Sequence, residues 1–164
     1  MEQGREVIPV RCQIPQPHYN TRTNNNDIML LQLEKKAELN RCIRLIRLPL
    51  AHQRVRPGAK GSVAGWGRTS PHFKLFADML RKVDVAVMHT YTYRQYNPSM
   101  MLCVGDPDDS KNLFQGRIRG PPFCNGKAQC IISFSKDDGS PPRMFTKVSA
   151  YVTWIRKTMR KPWD

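Results

Sequence analysis

The chain has 164 residues, enough for one ordinary domain or two half-domains. Hydrophobic residues make up 40%, so a packed core is within reach. No apolar run approaches the roughly 18 residues of a membrane-spanning helix. The formal net charge is +14 and the isoelectric point is near 10.0. That excess attracts polyanions such as nucleic acid, sulfated glycans or an anionic membrane. A solvated basic surface without a dedicated partner reads the same way, and no nucleic-acid-binding motif accompanies the charge.

Val7–Val10 is a short apolar run, and the proline- and asparagine-rich stretch from Pro15 to Asn26 reads as a loop. Ile28–Leu33 is apolar, short and bounded by turn residues, which predicts a strand. Ile43–Leu48 follows and stops at Pro49, and Pro57-Gly58 marks a turn before Gly61–Gly67. Val83, Val85 and Val87 alternate with Asp84 and Ala86, the period of a half-buried strand. Thr90–Met100 reads as a loop. Ala128–Phe134 and Met144–Val148 predict two strands joined by the turn-rich stretch from Asp137 to Pro142. Ser149 is placed to cap a helix whose apolar positions Val148, Tyr151, Val152, Ile155 and Met159 follow helical spacing. Arg156, Lys157, Arg160 and Lys161 gather at its C-terminal end, where cations suit the helix dipole, and Pro162 stops it. Many short strands and one terminal helix predict an all-β sandwich or barrel.

The five cysteines, Cys12, Cys42, Cys103, Cys124 and Cys130, are odd in number, so at least one lacks an intrachain partner. No Cys-x-x-Cys occurs and no histidine lies near Cys124 or Cys130, which gives a structural zinc site little support. Met1–Glu6 is polar and charged and lacks the apolar core of a secretory signal. If Met1 is the true start, the chain begins in the cytosol.

Several separated motifs then appear in one order. These are Asn26-Asp27-Ile28-Met29-Leu30-Leu31, Ser62-Val63-Ala64-Gly65-Trp66-Gly67, Leu102-Cys103-Val104-Gly105-Asp106-Pro107, and Phe145-Thr146-Lys147-Val148-Ser149 with Trp154–Met159. Together they resemble the granzymes (granzyme B/H-like members) of the chymotrypsin/trypsin-like serine proteases. The resemblance implies a double antiparallel β-barrel with a C-terminal α-helix, here with an incomplete N-terminal barrel. It assigns residues 1–56 to the remnant of that barrel, 57–148 to the C-terminal barrel and 149–164 to the helix.

The same resemblance implies the site. Asp27 falls at the catalytic aspartate, and Gly116 is what remains of the oxyanion hole. Asn112, Phe114, Ser133, Phe134, Ser135 and Arg143 fall at the substrate pocket. Arg143 would pair with a substrate aspartate, because a guanidinium offers a planar, permanently charged fork to a carboxylate. No metal and no cofactor is implied. The family's nucleophile motif, Gly-Asp-Ser-Gly-Gly-Pro, reads here Gly116-Arg117-Ile118-Arg119-Gly120-Pro121, with Ile118 at the serine. The base histidine lies in an Ala-Ala-His-Cys segment ahead of Asp27, and none of His18, His52, His72 and His89 has that context. Gly61 replaces the cysteine that pairs in relatives with the match of Cys124, and Cys103 loses its partner in the preceding loop. The expectation is a truncated, degenerate and catalytically inactive homologue. Its family substrates would be proteins cut after aspartate, and its family compartment is the secretory granule or the extracellular space. One alternative is a non-enzymatic protein that binds a polyanion such as a sulfated glycan or proteoglycan, and another is an active serine endopeptidase if the sequence is incomplete.

Overall fold

The computed structural model describes residues 6–65, 81–88, 96–105, 123–124, 126–134 and 143–161. The described elements are β1 (Val10–Pro15), β2 (Met29–Leu33), β3 (Lys60–Gly65), β4 (Arg81–Val87), β5 (Met101–Gly105), β6 (Phe123–Cys124), β7 (Ala128–Phe134), β8 (Arg143–Lys147) and α1 (Val152–Met159). A single 3₁₀ turn, Val148–Ala150, joins β8 to α1. The strands predicted for Ile28–Leu33 and Ala128–Phe134 are found as β2 and β7, and β8 begins one residue earlier than expected. β1 was not expected. It extends from the end of the Val7–Val10 run, and its intermediate residues Cys12 and Ile14 alternate with exposed Arg11, Gln13 and Pro15.

β1 and β2 form an antiparallel pair of their own. The remaining strands make one antiparallel sheet in the order β3-β4-β5-β8-β7-β6, and the outer strands β3 and β6 lie in contact. One core fills this sheet. Val63, Val85, Val87, Leu102, Val104, Cys130 and Phe145 are buried together, with Val55, Ala59 and Ile132 packed against them. A second core joins the N-terminal segment to the helix. Ile28, Val148, Tyr151 and Ile155 are buried there, with Leu30, Leu48 and Trp154 alongside.

β2 shows how strand alternation divides these roles. Ile28 and Leu30 turn toward α1, so Met29, Leu31 and Leu33 must turn the other way. Those three are 46%, 51% and 42% exposed. A two-stranded sheet has no second layer to cover such a face.

The helix differs from its sequence reading in two respects. Ser149 does not cap it. Ser149 lies inside the preceding 3₁₀ turn, and its hydroxyl donates instead to the Gln53 carbonyl at 3.0 Å. Tyr151 occupies the cap position, and its side chain makes no capping hydrogen bond to the helix. Met159, placed on the apolar stripe by spacing, is 69% exposed, and Thr158 takes the inward position with Val152 and Ile155.

Cys103 is a free thiol buried in β5, and burial pushes its pKa from 9.0 up to about 11. Its raised value means that folding favours the protonated thiol. That contribution is complete below about pH 9 and disappears as pH rises toward 11. Urea denaturation across this range is expected to show the parent losing about 2–3 kcal/mol more stability than Cys103→Ala. Parallel pH profiles for the two proteins would contradict the assignment.

Candidate active site

The loop between β1 and β2 presents Asp27. Asn20 and Asn25 bridge across it, and Asn26 adopts a left-handed backbone with φ of 59°. The Asn26 side-chain amide donates to the His18 carbonyl at 2.8 Å, and Ile28 N–H donates to the Asn26 carbonyl at 2.8 Å. Asparagine tolerates this conformation because its short polar side chain bonds locally. The turn therefore has a defined shape before Asp27 meets the rest of the protein.

Asp27 is then held from the sheet. The Ser133 hydroxyl donates to Asp27 Oδ2 at 2.5 Å, across 106 residues of chain. The Thr146 hydroxyl donates to the Asp27 carbonyl at 2.7 Å, across 119 residues. Next door, the Tyr151 hydroxyl donates to Asn26 Oδ1 at 3.2 Å. Burial raises the Tyr151 pKa and the nearby Asp27 carboxylate raises it further, while its bond to Asn26 opposes them.

A bulge in β7 accounts for the reach of Ser133. Ile132 pairs with Phe145 and Phe134 pairs with Met144, so the ladder steps past Ser133. An extra residue in one strand is left out of the regular pairing and can re-aim its side chain. Here it aims a hydroxyl at Asp27.

Arg143 opens β8, opposite Val104 of β5. It is only 6% exposed, and burial lowers its pKa. A surface arginine beside two prolines is therefore ruled out: the guanidinium belongs to the interior. Phe134 lies one residue beyond Ser133, near the end of the same sheet. Asn112, Phe114, Gly116, Ile118 and Ser135 lie outside the described residues. The structure thus brings Asp27 and Ser133 into contact and buries Arg143 on β8, the strand that also carries Thr146.

Thr146 and Tyr151 were not foreseen as partners of this turn. No local pattern marks them, because their partners lie over a hundred residues away. Among the described residues, no group of three or more His, Cys, Asp or Glu side chains could hold a metal ion.

A family model described as Trypsin matches residues 1–155. The chain belongs to the trypsin family. Mast cell protease 3 of the sheep is 43% identical over 164 residues, covering 98% of this chain and 65% of that protein. Human granzyme B is 43% identical over 165 residues, covering 98% and 66% respectively. Human cathepsin G is 41% identical over 163 residues. A solved structure of GrC superposes with a TM-score of 0.85 at 36% identity, covering 98% of this chain and 73% of that one. Neuropsin from mouse brain superposes with a TM-score of 0.78 at 30% identity. The fold is trypsin-like, mostly β with one C-terminal helix. The chain spans about two thirds of the length of these trypsin-family relatives.

The contact between Asp27 and Ser133 makes a measurable claim. Ser133→Ala and Asp27→Ala are each expected to cost about 1–3 kcal/mol in urea denaturation. The double variant should cost clearly less than their sum, and Asp27→Asn, which keeps an acceptor oxygen, should recover part of the loss. Strict additivity would show that the two side chains do not interact.

Proposed function

We propose that this chain is a granzyme-like member of the trypsin family that keeps the substrate-side framework and no longer forms an acyl-enzyme. The observation that carries this reading is Ile118 in Gly116-Arg117-Ile118-Arg119-Gly120-Pro121. Acyl transfer from a peptide needs an activated hydroxyl or thiol, and an isoleucine side chain offers only carbon and hydrogen. Loss of the nucleophile in another serine protease lowers turnover roughly a millionfold, or about 8 kcal/mol of barrier. Arg117 and Arg119 compound the change. They place charge and bulk where relatives carry an aspartate and a glycine, next to the Gly116 N–H that would serve the oxyanion.

What remains is recognition. Buried Arg143 supports a pocket suited to an acidic side chain. Ser133 and Phe134 would line its approach, with Asn112, Phe114 and Ser135 contributing by their place in the motif. In this reading Asp27, which orients the base in active relatives, serves to hold the turn. A granule or extracellular destination comes with the same family reading.

Incubation with a fluorophosphonate probe, and with peptides carrying aspartate at the cleavage site, tests this directly. Neither labelling nor turnover above a heat-treated control is expected. Stoichiometric labelling would overturn the proposal.

A second reading rests on α1. Thr153, Arg156, Lys157 and Arg160 line a shallow groove of about 340 Å³ on its outer face. Three of the four residues are cationic, in a chain of net charge +14. We infer that this face holds a sulfated glycan or proteoglycan. Heparin affinity should fall steeply with salt, and the Arg156→Ala/Lys157→Ala/Arg160→Ala variant should lose about one unit of salt slope per cation removed. An unchanged slope would remove α1 from the binding face.

A further inference from the structure

The segment between β2 and β3 carries a second cationic surface of a different kind. From Leu39 to Ala77 the sequence contains no acidic residue. Within its described part, Arg41, Arg44, Arg47, Arg54, Arg56 and Lys60 are all exposed. The same stretch exposes large aliphatic side chains: Leu39 at 58%, Leu45 at 85%, Ile46 at 47% and Leu50 at 67%. Scattered single aliphatics on a surface are ordinary. A short segment that interleaves several of them with arginines, and excludes every carboxylate, is not.

The segment is also pinned. The Asn40 side-chain oxygen accepts from Cys42 N–H at 2.7 Å and Ile43 N–H at 3.0 Å. The Arg47 carbonyl accepts from Ala128 N–H at 2.9 Å, tying the segment to the start of β7. Leu48 packs into the second core and Pro49 is fully buried. Leu45 and Ile46 therefore stand between a locally closed turn and an anchor on the sheet. Side chains held outward by an ordered backbone lose little freedom on binding.

We propose that the exposed segment carrying Arg41, Arg44, Leu45, Ile46, Arg47 and Leu50 docks on an anionic lipid surface. The arginines would meet headgroup phosphates, each contributing about fivefold in affinity near such a surface. Leu45, Ile46 and Leu50 would enter the interfacial layer, where burial of aliphatic groups adds to the electrostatic attraction. Other occupants fit less well. A sulfated glycan would use the cations and leave Leu45 in water. A single-stranded nucleic acid is held through base stacking on aromatic rings, and no Phe, Tyr or Trp occurs between Leu39 and Val63. A second copy of the chain would set arginine against arginine with no acid between them.

The full chain is tested by flotation with vesicles of phosphatidylcholine alone and of phosphatidylcholine with phosphatidylserine. Binding is expected only to the second. Leu45→Ser/Leu50→Ser should weaken that binding about tenfold or more while heparin retention stays unchanged. Arg41→Ala/Arg44→Ala/Arg47→Ala should abolish flotation. Separately, Leu45→Trp should gain a blue-shifted emission on addition of the anionic vesicles, beyond any change in the parent. Equal flotation on neutral vesicles, or parent-like flotation of the double serine variant, would overturn the proposal. So would a parallel loss of heparin retention in that variant, which would assign the face to glycan, or an unshifted Leu45→Trp emission.

Discussion

Three consecutive residues, Asn26, Asp27 and Ile28, join the N-terminal segment to the larger sheet. Asp27 is held through both its carboxylate and its carbonyl, by Ser133 and Thr146. Asn26 accepts from Tyr151, and Ile28 is buried against Val148, Tyr151 and Ile155. Polar and apolar attachments thus act at one point. Each hydrogen bond contributes modestly, about 0.5–1.5 kcal/mol net, but a partner lost from a part-buried site costs more. The β1–β2 pair, too small to be stable by itself, owes its position to this turn.

The same turn sets the exposure of β2. Because Ile28 points inward, strand alternation directs Leu30 inward and Met29, Leu31 and Leu33 outward. A one-residue change of register would exchange the two faces, and the anchoring of Asp27 forbids it. The six-stranded sheet, by contrast, closes around its own apolar residues. Phe145 lies at the middle of β8, buried in a core that draws on β3, β4, β5, β7 and β8.

Where sequence reasoning succeeded, short-range chemistry was enough. The valines of β4 alternate, and the apolar runs of β2 and β7 are bounded by turn residues. Where it failed, the deciding partner was distant. The phase of β1 depends on pairing with β2 across the Asn-rich loop. Ser149 has the right chemistry for a cap, yet its hydroxyl is taken by Gln53, 96 residues away in sequence. Met159 and Thr158 both lie near the inner stripe of α1, and only packing decides between them. The burial of Arg143 was likewise illegible from its neighbours, two prolines and a methionine. The meeting of Asp27 with Ser133 depends on a bulge that no local pattern announces.

Asp27 therefore has two independent reasons to exist. Its place in the motif gives one, under the proposed function, and its two hydrogen bonds, which fasten a turn to a sheet, give the other. A lineage that abandoned peptide cleavage would still be selected to retain it, because its loss would loosen the N-terminal segment. An aspartate at this point of the chain is thus a record of architecture, and its presence by itself says nothing about chemistry.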